Sequence, residues 1–108
     1  MTVPTVKTAA EADEAKIIDT LRLAFAADPA VRWVWPDPYN YLSHSSNFAR
    51  AFGGKAFVNK SAHYVGNYSG AALWLPPDVH PDVDQLITLL QSTGSDEANR
   101  TAQKYLRR

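Results

Sequence analysis

Residues 71–78 read AALWLPPD, and the double proline in that stretch limits the fold more than any other feature of the chain. Proline has no amide hydrogen and a fixed φ, so neither a strand ladder nor a helix interior continues through Pro76-Pro77. A second block, DPAVRWVWPDPY at 28–39, holds three prolines and two tryptophans. Its composition predicts no regular helix, and its aromatic side chains must pack onto something. Asp28-Pro29 also ends whatever helix precedes it, because proline disfavours helical geometry in the residue before it.

Between these breaks the patterns are local and readable. Thr5 to Thr8 reads as a first strand, rich in β-branched residues. Thr8 and Glu11 then have capping-box spacing. The helix that follows sets Ile18, Leu21 and Phe25 on one face, with Ile17 and Ala24 beside them. From about Asn40 a second helix carries Leu42, Ser45, Phe48, Ala49 and Phe52, and Gly53-Gly54 has the composition of its carboxyl-terminal cap. Residues 61–65 and 70–75 flank Gly66-Asn67-Tyr68-Ser69 and read as a β-hairpin. In its second strand Ala71, Leu73 and Leu75 share one face and Ala72 and Trp74 the other, which predicts a strand covered on both sides. Past His80-Pro81, Val83, Leu86, Ile87 and Leu90 mark a third helix. Ser95 caps a fourth, with acids at its start and bases at its end, as the helix dipole favours.

The class that results is α+β: a short β-α-α-β-β sheet unit with further carboxyl-terminal helices, one domain over residues 1–108. A chain of 108 residues has no room for two cores. Eleven basic and eleven acidic side chains give no net charge, so the strong positive field of a nucleic-acid binder is missing. Arg100, Lys104, Arg107 and Arg108 form a local basic end, read as the cationic terminus of a helix. No cysteine is present, which excludes disulfides and thiolate chemistry. The amino terminus has no apolar leader core, and no stretch nears the ~18 apolar residues of a membrane span. A cytoplasmic location is expected, with the sequons at Asn67 and Asn99 unused.

Catalytic patterns are sparse. His44, His63 and His80 have no metal-pair spacing, and a structural or surface role is the simplest reading of each. His63, in a strand, is the one placed to act as a base beside a cleft. Asp78, Asp82 and Asp84 cluster where carboxylates favour a helix start, with a metal site as the alternative. No Gly-x-Ser-x-Gly turn and no glycine-rich phosphate loop occurs. The aromatic set Trp33, Trp35, Tyr39 and Tyr41 is either a binding surface or a loop pinned by its own rings; aromatic side chains serve both uses.

The order of these motifs resembles a known family. AFAADPAVRWVWPDP (24–38), a helix, and then AALWLPPD (71–78) resemble the amino-terminal half of GNAT acetyltransferases, over about residues 3–90. The resemblance implies a central sheet flanked by helices and acetyl transfer from acetyl-CoA to an amine. It makes 61–65 and 70–75 the second and third strands and sets the 28–41 loop near the acceptor side. Trp74 then fills core or cleft wall, so Trp74→Ala is expected to cost more than Trp33→Ala. Trp33, Trp35, Tyr39, Tyr41, His63 and Trp74 are the acceptor-side candidates.

In that family a fourth strand and a glycine-rich turn hold acetyl-CoA, and no residue here matches that motif. The resemblance therefore implies no cofactor site, no assignable catalytic residue and no activity in this chain alone. A partner segment would supply the missing half, or the chain is a small non-catalytic binding or oligomerisation module. In either case the strand at 70–75 lacks a neighbour, and a homo-oligomer through that edge is expected.

Overall fold

The computed structural model describes residues 5–106, with side chains described to residue 104. Residues 3 and 4 of the stretch that carries the family resemblance, and Arg107 and Arg108 of the basic end, lie outside the described residues. Among the described residues the fold is α+β, with six α-helices and one three-stranded antiparallel sheet. Strands β1 (Val6–Thr8), β2 (Ala62–Val65) and β3 (Gly70–Leu73) lie in the order β1-β2-β3. Thr8 faces His63, which faces Ala72; Val6 faces Val65, which faces Gly70. Positive φ at Gly66 (57°) and Tyr68 (61°) folds the hairpin turn. The pairing runs one residue past β3, where the Trp74 amide donates to the Ser61 carbonyl at 3.0 Å. The prolines then stop it, as their chemistry requires.

Between β1 and β2 stand four helices rather than the two expected. A 3-10 turn at Glu11–Asp13 leads into α1 (Glu14–Ala24). It is closed by Asp13, whose carboxylate accepts the Ala10 amide at 2.8 Å, and not by the predicted Thr8–Glu11 box. The proline-rich block is helical in two pieces. Asp28 accepts the amides of Ala30 and Val31 at 3.0 and 3.1 Å and starts α2 (Pro29–Val34). Asp37 accepts the Tyr39 amide at 2.7 Å and starts α3 (Pro38–Gly53). Pro29 and Pro38 each sit at the first helical position, where the missing amide has no partner to lose, and Pro36 lies between the two helices. Pro29 and Pro38 open helices here instead of preventing them.

Gly53-Gly54 does end α3, with Gly54 at the cap position and its amide donating to the Arg50 carbonyl at 2.8 Å, but the cap is not left-handed. Gly54 has φ −63°, and the chain runs on into α4 (Lys55–Val58). What Gly53 supplies is closeness: a Cβ there would lie 2.9 Å from Leu73 Cδ1 on β3. Downstream, Asp82 caps α5 (Val83–Thr93) by accepting the Gln85 amide at 3.1 Å. Ser95 caps α6 (Asp96–Leu106) by accepting the Ala98 amide at 3.1 Å. The Ser95 hydroxyl and amide also donate to the carbonyls of Trp33 and Val34, at 3.0 and 2.7 Å. Ser95 thus ties α6 to the end of α2.

The helices cover one face of the sheet. Ala9, Ile17, Ala56 and Ala62 form the buried centre, with Leu21, Phe57, Tyr64, Ala71, Leu73 and Leu75 packed around it. A second buried group surrounds Trp35, where α5 lies along α3. The other sheet face is open: Trp74 and Val6 are each 65% exposed. The expectation of a strand covered on both sides is therefore corrected, and with it the core role of Trp74. The buried tryptophan is Trp35, at 1% exposure, while Trp33 is at 39%. Among the described residues no helix is long and apolar enough to cross a membrane.

Candidate functional site

An apolar groove of about 440 Å³ lies between α1, α3 and β3. Leu21 and Phe25 line it from α1 and its cap, Val31 and Trp35 from α2 and its end, and Phe48, Ala49 and Phe52 from α3. Ala71, Ala72 and Leu73 form the remaining wall. Its aromatic side is ordered: Trp35 meets Phe48 edge-on with centroids 5.5 Å apart, and Phe48 stacks on Phe52 at 5.9 Å. The Trp35 indole is fixed from behind, donating through Nε1 to Thr93 Oγ1 at 3.1 Å.

Few polar groups reach this groove. The Tyr41 hydroxyl donates to the Arg22 carbonyl, and burial pushes its phenol up from the ordinary tyrosine range. Ser45, one helical turn on, is buried on the same wall. Its hydroxyl lies near enough to Tyr41 to temper that rise, yet outside hydrogen-bond geometry, and its Oγ has no partner. Arg32 is committed elsewhere: its guanidinium donates to the carbonyls of Ala26, Trp35 and Pro36 at 3.1, 3.2 and 2.7 Å. The same guanidinium lies 5.8 Å from the Tyr41 ring centroid, a cation–π distance. Arg22 pairs with Asp19 at 3.1 Å. Such a site suits an apolar group with little charge.

Only two of the six sequence candidates, Trp35 and Tyr41, meet in the groove. Trp33 is on the outer side of α2, and Tyr39, at 76% exposure, stands in the first turn of α3. His63 and Trp74 belong to the open face of the sheet. There His63 Nδ1 lies 3.4 Å from Thr8 Oγ1, at the far limit of a hydrogen bond. Phe25, Phe48 and Phe52 are the groove residues that sequence reading left out of the site. Their helical spacing marked them as apolar faces, and nothing in that spacing says whether a face closes on a core or on a hollow. The Asp78, Asp82 and Asp84 group gives Asp82 a capping role, and no three His, Asp or Glu side chains among the described residues could hold a metal ion.

Along the rim of the groove runs the free edge of β3. Since Trp74 bonds Ser61 and antiparallel pairing alternates, Gly70, Ala72 and Trp74 turn their backbone groups to β2. Those of Ala71 and Leu73 point outward, and no described strand pairs with them. Backbone donors and acceptors therefore line one side of an apolar hollow. Comparison of the chain with protein-family models, with curated proteins and with solved structures finds no match.

Proposed function

We propose that this chain is the acceptor-side half of a GNAT-like N-acetyltransferase. One observation carries the reading: two strands follow the helical segment, the sheet order is β1-β2-β3, and β3 is left as the open edge. A further strand added there would continue the sheet where the resembled family has its cofactor-binding strand. Acetyl-CoA would supply the thioester to a complete enzyme. Trp35, Tyr41 and the phenylalanines of the groove would form the wall against which an amine's apolar portion rests. Acetyl transfer also needs a donor for the developing oxyanion and a proton for the departing thiolate. In the resembled family both come from the cofactor-binding strand and the residues after it, so the 108 residues alone are expected to be silent.

Calorimetric titration with acetyl-CoA and a thiol-release assay over several amines test this. The expected result is no binding and no turnover by the chain, and binding by a fusion that adds a strand, glycine-rich turn and helix from a GNAT enzyme. Micromolar binding with turnover by the chain itself overturns the division of labour. A fusion that folds without pairing its strand to β3 overturns the assignment. The second reading, a non-catalytic oligomerisation module built on half of that fold, is favoured by the apolar character of the β3 edge.

A further inference from the structure

The molecule has more surface than its mass requires. Its accessible area is 7601 Å². A compact monomer of 11.9 kDa exposes about 5,950 Å² by the usual scaling, so roughly 1,650 Å² is surplus. A standard interface takes about 800 Å² from each partner. The surplus is large enough for one such interface with area to spare.

The β3 edge is only four residues long, but it lacks the charges and prolines by which proteins also block edge pairing. Gly70 to Leu75 holds no charge and no proline, and the first break is Pro76. Its sequence is also complementary to itself. In an antiparallel pairing centred on Ala72, the outward groups of Ala71 meet those of Leu73 in a second copy, and Leu73 meets Ala71. Ala72 then faces Ala72 as a non-hydrogen-bonded pair, where Cα atoms approach to about 4.5 Å and small side chains fit best. Two residues on, Trp74 faces Gly70 of the other copy. A ring that is 65% exposed in one chain thereby lies over a position with no side chain, beside Val65, whose Cγ2 already leans on Gly70.

We propose that β3 pairs with β3 of a second copy about a two-fold axis at Ala72, making a continuous six-stranded sheet. This deepens the oligomerisation reading and rests on it, independently of acetyl transfer. The outward hydrogen bonds of Ala71 and Leu73 hold the register, and Trp74 packed on Gly70 of the other chain supplies the largest apolar contact. A symmetric interface of this kind closes at two subunits.

Charge at the axis tests it. Ala72→Lys and Ala72→Glu each place like charges directly opposite one another, a destabilising arrangement. Sedimentation at micromolar concentration is expected to give a dimer for the parent chain, a monomer for each variant alone, and a dimer for their one-to-one mixture. Circular dichroism of each variant establishes that it is folded, and rescue by mixing shows that both retain the interface. The chain has no cysteine, so Ala72→Cys provides a separate reading: mild oxidation is expected to yield a covalent dimer. A monomeric parent overturns both the oligomerisation reading and this interface. A parent dimer that survives either charge variant, or resists cross-linking through Ala72→Cys, overturns this interface and leaves oligomerisation standing. Exchange protection of the Ala71 and Leu73 amides that appears only when a synthetic apolar strand peptide is added overturns it in favour of that occupant.

Discussion

Burial separates the three tryptophans, and their substitution costs follow. Trp35 is enclosed, edge-on to Phe48 and bonded to Thr93, so Trp35→Ala should cost about 3–5 kcal/mol. Trp74→Ala, measured in chain dilute enough to be monomeric, should stay within about 0.5 kcal/mol, the ordinary range for a surface change. Urea midpoints check the ranking, and a Trp74 cost above that of Trp35 would refute it. Tyr68 carries a second consequence at this scale. Its hydroxyl donates to Asp13 Oδ1 at 2.6 Å, which pushes the phenol up to about 12 and holds the Asp13 carboxyl below its usual value. A phenol with a raised folded pKa contributes stability below about pH 10, its unfolded value, and loses it as pH climbs towards 12. Asp13, being depressed, contributes above its ordinary pKa and loses that contribution in acid. The bond therefore supports the fold from about pH 4 to about pH 10. Tyrosinate absorbance of the parent chain against Tyr68→Phe should reveal one phenol titrating late; identical curves would count against the contact.

At the scale of elements, local caps do the positioning. The hairpin turn is fastened to α1 not only by Tyr68 and Asp13 but also by Thr20, whose hydroxyl donates to the Tyr68 carbonyl at 2.9 Å. Lys16 lies 5.0 Å over the Tyr68 ring, which stacks on Tyr64 at 4.7 Å. On the other side of the groove, α2 is only six residues long and depends on Asp28, which satisfies two of its free amides. An isolated helix of that length has too little internal bonding to stand unaided. Asp28→Ala should cost about 1 kcal/mol, and Asp28→Asn much less, since an asparagine oxygen caps equally well. Equal losses for the two, read from denaturation midpoints, would show that the charge and not the cap is what matters.

For the whole molecule, shape and stability are linked. The radius of gyration is 15.1 Å, against about 13 Å for a compact domain of this length, and the longest dimension is 47 Å. Fewer apolar atoms leave water than the mass allows, and the buried centre is largely alanine. Folding has little surplus to set against chain entropy. Association should then add directly to stability, so the thermal midpoint should rise with protein concentration. A midpoint constant over a hundredfold range of concentration would mean that the single chain is sufficient.

Much of the backbone plan was legible in the residues. Pro76-Pro77 end the hairpin because they lack amides, Gly66 supplies positive φ in the turn, and Ser95 offers the oxygen that starts α6. Each of these effects acts within a few bonds, so sequence alone determines it. The Asp-Pro pairs show the limit of such reading. The same two residues can end one helix or begin the next, and only the path of the chain selects between them. Which tryptophan is buried, which sheet face is covered and where the groove opens were decided by tertiary packing. An apolar side chain looks the same in sequence whether a helix covers it or water does. Trp35 is enclosed because α3 and α5 close over it, and Trp74 is exposed because no described helix crosses its side of the sheet.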